Sequence, residues 1–131
     1  MYFQIIMPVG SNPDAVRKQA MIQGITEFTA IKPHFPRYAT EDPVFNLQAT
    51  LQNLKGASFV LADLSLERPS CYYELGLAEA LGKPVYLIAE ESTDIHQTAS
   101  RRLVRFYRGD EEFKNLITKI LAEGVGSWEN S

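Results

Sequence analysis

Cysteine is almost absent from this chain: Cys71 stands alone among 131 residues. No intramolecular disulfide can form, which fits a reducing compartment. Histidine is nearly as scarce. His34 and His96 have no companions at metal-ligand spacing, so neither a zinc site nor any other cofactor is expected. There is no basic excess, and a net charge of −3 argues against binding a nucleic-acid polymer through its phosphates. No apolar run approaches the roughly 20 residues of a membrane span. The N-terminus lacks a basic segment followed by a long apolar stretch, so neither a membrane partner nor a secretory leader is expected. These absences together lead to the expectation of a soluble cytoplasmic protein. G-x-G-x-x-G, P-loop and G-x-S-x-G signatures, internal repeats and low-complexity segments are missing too.

What the chain does have is alternation. Near-continuous apolar runs occur at 2–9 (YFQIIMPV), 57–64 (ASFVLADL) and 83–90 (KPVYLIAE), the pattern of strands buried on both faces of a parallel sheet. The weaker run 28–35 contains Pro33 and reads as an edge strand, and 102–107 (RLVRFY) reads as a last strand. Helical segments lie between them. Asn12 with Pro13 and Asp14, Asp42 with Pro43, and Ser70 supply helix starts; Gly56 and Gly82 supply stops. A final helix over 110–124 carries acids first, then a stripe of Phe113, Leu116, Ile117, Ile120 and Leu121. The expectation is one three-layer, doubly wound α/β domain over 1–123. It has a mainly parallel five-stranded sheet, flavodoxin-like or Rossmann-like, with helices on both faces and a loosely ordered tail at 124–131.

Within the segment 69–84, PSCYYELGLAEALGKP, Glu74 shares a helical stripe with Leu77, Ala78 and Leu81, positions that should face the core. In open α/β sheets ligands bind beyond the carboxyl ends of the strands. Glu74 follows the strand 57–64 and Asp63 ends it, so both acids are expected at one crevice, where their proximity would favour one holding a proton. Simpler roles compete: a dipole-stabilised glutamate in a first turn, and an aspartate bonding loop amides in an Asx turn.

The stretches IIMPVG and LADLSLERPSCYYELGLAEALGKPVYLI resemble the nucleoside 2-deoxyribosyltransferase-like superfamily, most of all its bacterial nucleotide-binding, TIR-like branch. The match is close over 57–88 and looser over 2–12; Arg68-Pro69-Ser70 occupies the place of an N-P-N-like loop, and Val9 replaces an aromatic. The resemblance implies chemistry at an N-glycosidic bond. Glu74 would attack the anomeric carbon of a nucleoside, a nucleotide or NAD, and Asp63 would orient the sugar or assist departure of the base. Where the transferases carry a further acid, this chain has Arg68. TIR-type NAD glycohydrolases also place their glutamate on a helix opening with serine and cysteine, as Ser70 and Cys71 do here.

Further substrate contacts are expected from Met7, Pro8, Gly10, Ser11 and Asn12, a strand-to-helix loop suited to a 5′-phosphate, with Arg17 and Lys18 adding long-range attraction. Ser65, Ser70 and Tyr73 complete the set, although each has an ordinary structural alternative. Arg101, Arg105 and Arg108 would align if 100–108 were helical, although a solvated surface explains them better. A chain this small is expected to complete its crevice as a homodimer, with Phe45, on a helix whose core side is Val44, Leu47, Leu51 and Leu54, as a candidate contact. The competing class is a nucleotide-sensing module with the same pocket and no chemistry. A phospho-receiver is disfavoured, because no acidic cluster follows the first strand.

Overall fold

The computed structural model describes residues 1–8, 13–35, 46–95 and 103–129. The order is β1 (Tyr2–Ile6), α1 (Pro13–Ile25), β2 (Lys32–His34), α2 (Leu47–Gly56), β3 (Val60–Asp63), α3 (Pro69–Ala80), β4 (Val85–Glu90), β5 (Arg105–Tyr107) and α4 (Gly109–Glu129). The five strands form one sheet in the order β2-β1-β3-β4-β5, and every pairing between them is parallel. This is the three-layer α/β arrangement the alternating runs call for. The strand containing Pro33 lies at the sheet edge, where a missing N–H costs least.

Two cores follow from the two-residue alternation of the strands. Phe3, Ile5, Phe59, Leu61, Ile88 and Tyr107 face one way and pack with Ala15 and Ile22 of α1 and Phe113, Ile117 and Ile120 of α4. Ile6, Val60, Ala62, Leu87 and Ala89 face the other way and pack with Leu54 of α2 and Cys71, Leu75 and Ala78 of α3. Accordingly α1 lies against α4 and α2 against α3. No helix among the described residues is long and apolar enough to cross a membrane.

The helix boundaries differ from the sequence reading in three places. Arg68, not Ser70, is the N-cap of α3, because Pro69 takes the first helical position and leaves Ser70 inside the helix, exposed and making no cap bond. Asn46 caps α2, accepting from the Ala49 N–H at 3.0 Å. Asp42, Pro43, Val44 and Phe45 lie outside the described residues, as do Val9 to Asn12. Of the expected core side of α2, only Leu54 is fully buried among the described residues, and Leu47 is exposed. The final helix runs through Gly124 to Glu129 instead of ending at the glycine. Residues 105–107 are strand, so the arginines nearby do not form a helical stripe: Arg105 pairs with Glu123 and Arg108 with Glu91. The end of α3 matches expectation. Gly82 takes φ +70°, its N–H reaches Glu79 O at 3.0 Å, and the Lys83 N–H reaches Ala78 O at 3.1 Å, a Schellman ending.

Gly124 is in the helix for want of space. A Cβ there would lie 2.4–2.9 Å from ring atoms of Phe59. That ring is 1% exposed, stacked on Phe3 at 5.0 Å and edge-on to Tyr86 at 5.4 Å, so it has nowhere to go. Alanine would recover about 1 kcal/mol of helix propensity. Overpacking a filled core costs roughly 1–3 kcal/mol, and with the clash against a wedged ring the cost prevails. Gly124→Ala is therefore expected to lower the urea midpoint of unfolding, and a raised midpoint would contradict this packing.

Candidate functional site

Progress along the chain reverses direction across the sheet between β1 and β3, and the carboxyl edge at that switch point is where an open α/β sheet forms a crevice. A small cleft of about 50 Å³ occupies this place. That is well below the roughly 300–1,000 Å³ of sites that enclose a whole drug-sized ligand, so it admits one edge of a small molecule. Met7 and Pro8 enter it from the end of β1, Asp14, Ala15 and Lys18 from α1, and Glu90 from the end of β4. Asp63, Ser65 and Leu66, at and just past the end of β3, complete that side.

Asp63 is 4% exposed and every partner donates to it. Its Oδ1 accepts from the Ser65 N–H at 3.0 Å, the Asx-type bond of a strand-end aspartate, and from Ser65 Oγ at 2.5 Å. Its Oδ2 accepts from Tyr107 Oη at 2.7 Å. Each hydroxyl has one hydrogen, and both are committed to Asp63, so the 3.1 Å separation of Ser65 Oγ and Tyr107 Oη is a contact of neighbours. Ser65 Oγ also accepts from the Glu90 N–H at 2.9 Å, tying the ends of β3 and β4 together. Burial, reinforced by the Asp63 charge, pushes the Tyr107 phenol far above its ordinary range, so it acts as a hydrogen-bond donor at any physiological pH.

Lys18 is the cation of the site. Its side chain is only 8% exposed, with Nζ 3.0 Å from Glu90 Oε1 and 3.8 Å from Asp63 Oδ2. The ammonium also lies over the Tyr107 ring at 5.1 Å and the Phe113 ring at 5.9 Å. A buried ammonium costs several kcal/mol of desolvation unless anions and aromatic faces surround it, and here both do.

Glu74 is also buried, at 7%, but on α3 among Cys71, Leu75 and Ala78. Burial, then the Glu74 charge and more weakly that of Asp63, pushes the Cys71 thiol up to about 12, against smaller opposing effects of Ser70 and Arg68. The thiol is thus an inert, protonated core group that feels both acids. The single pocket expected for the two carboxylates is not what this cleft provides: Asp63 lines it and Glu74 does not. The reason is strand phase. Asp63 falls in step with Phe59 and Leu61 and turns toward α1 and α4, whereas α3 covers the other face of the sheet.

Of the other expected contacts, Met7, Pro8 and Ser65 line the cleft. Ser70 and Tyr73 are exposed on α3 and are not among its lining residues. Gly10, Ser11 and Asn12 lie outside the described residues. Tyr72 donates to Glu67 Oε1 at 2.8 Å, pinning the loop before α3, where Glu67 takes φ +49°. His34 is engaged with Gln4 Oε1 at 2.8 Å, and among the described residues no group of three or more His, Cys, Asp or Glu could hold a metal ion. Sequence reasoning passed over Glu90 and Tyr107 and gave Lys18 only a distant role. The strand-end rule that selected Asp63 applies equally to Glu90 and Tyr107, the last residues of β4 and β5.

Compared with protein-family models and with curated proteins, the chain matches none at a significant level.

Proposed function

We propose that the chain is an N-glycosidase, a hydrolase or transferase acting on a nucleoside, nucleotide or NAD-like substrate, with Glu74 as nucleophile. The observation that carries this reading is the burial of Glu74, 7% exposed, on the helix that follows the strand ending in Asp63. A carboxylate kept there, in the helix that follows β3, suits an oxocarbenium-like transition state and a covalent glycosyl intermediate. Asp63, at the mouth of the switch-point cleft, supports the sugar in this scheme. On the same reading a second copy of the chain walls the open side of the cleft, beside the half-exposed Leu66. Sedimentation at micromolar concentration should then give a dimer, and a clean 14.8 kDa species would rule it out.

One observation favours a second reading, a nucleotide-binding module without chemistry. Asp63 already accepts hydrogen bonds from Ser65 and Tyr107, and Glu74 does not line the cleft. Incubation with a panel of nucleosides, nucleotides and NAD, followed by chromatography for free base, separates the two. The wild type should release base from at least one member. Glu74→Gln should lower that release by about 10³-fold or more, as loss of a catalytic nucleophile does, with the unfolding transition retained. Wild-type turnover in Glu74→Gln would remove the nucleophile assignment. Binding without release from any member would establish the module.

A further inference from the structure

The hydrogen-bonding capacity of the cleft is only partly used. Lys18 Nζ carries three hydrogens. One is directed to Glu90 Oε1 at 3.0 Å, and Asp63 Oδ2 at 3.8 Å is too far to take a second. Among the described residues Asp63 Oδ2 accepts from Tyr107 alone, and it has a further lone pair. Glu90, its side chain half exposed, uses Oε1 on Lys18 and makes no contact through its other oxygen among the described residues. Lys18 itself is more than nine-tenths buried and lines the cleft, so its remaining donors serve whatever occupies that space.

An ammonium between two carboxylates selects its complement. A phosphate or carboxylate would meet the like charges of Asp63 and Glu90, with Asp14 also lining the cleft, against one ammonium. A metal ion would have to displace the ammonium already between the acids. An apolar group would leave all three polar groups without new partners. A hydroxyl both accepts and donates, so it can take a hydrogen from Lys18 and give one to an acid. Two adjacent hydroxyls do this for Asp63 and Glu90 together. Carboxylates are the usual acceptors for ribose hydroxyls in nucleotide-binding α/β proteins, and here the ammonium adds the missing donor.

We infer that Lys18, Asp63 and Glu90 form a site for a vicinal diol, so that the switch-point cleft prefers a ribosyl over a 2-deoxyribosyl group. This rests on the nucleoside reading above for the kind of molecule, but not on Glu74 or on catalysis. A 2-deoxy sugar leaves one charged group of the three without its partner. A hydrogen bond to a charged group is worth about tenfold in affinity.

Calorimetry on the full chain carrying Glu74→Gln, in which the proposed turnover is blocked, provides the test. Each of the four common ribonucleosides is titrated against its 2′-deoxy counterpart. The ribonucleoside should bind about tenfold tighter in each pair that binds. Adding Glu90→Gln, a change at a half-exposed side chain that leaves the core intact, should reduce the preference to about twofold or less, and Lys18→Met should abolish it. Equal affinities, a preference for the deoxy sugar, a preference unmoved by Glu90→Gln, or no binding by any ribonucleoside would each overturn the diol site. Base release without a ribose preference would refute this inference alone. A ribose preference without base release would refute the N-glycosidase reading alone.

Discussion

The carboxyl edge of this sheet is organised around one buried ammonium. Lys18 reaches from α1 beneath Asp63 and Glu90, the last residues of β3 and β4, and over the rings of Tyr107 and Phe113. Alone, such a group would be excluded from the core. Two carboxylates and two aromatic faces offset its desolvation, and in return the ends of three strands are bound to one helix. Ser65 completes the arrangement by donating to Asp63 and accepting from the backbone of β4. The cleft keeps its shape because each of its polar walls holds another.

Strand alternation decides which acids meet. Asp63 and Glu90 fall in step with Leu61 and Ile88, and Tyr107 ends β5 on the same side, so all three face α1 and α4. Glu74 belongs to the layer on the other face, where it shares the environment of the Cys71 thiol. The two acids singled out from the sequence therefore lie in different layers of the fold: Asp63 beside Lys18, and Glu74 on α3.

The fold was legible because buried parallel strands read as continuous apolar runs and the helices between them carry recognisable starts and stops. Cap residues were less legible, since a proline one position away moved the cap of α3 from Ser70 to Arg68. At the site, Asp63 was found because strand ends at the carboxyl edge are informative. The phase of Phe59, Leu61 and Asp63, which sends that side chain away from α3, is equally legible in the sequence. Lys18 stayed hidden for a physical reason. A lysine on an amphipathic helix ordinarily extends into water, and only the arrival of β3, β4 and β5 from distant sequence makes its burial affordable.

Coupling between Lys18 and Asp63 is the most direct test of this account, measured by urea unfolding of Lys18→Met, Asp63→Asn and the double variant. Each single change leaves a buried charge or donor without its partner and should cost about 3 kcal/mol or more. Because the second change removes the partner stranded by the first, the double variant should cost less than the sum by about 1 kcal/mol or more. Costs that add to within about 0.5 kcal/mol would show that the two residues act independently, and the buried ammonium would lose its organising role.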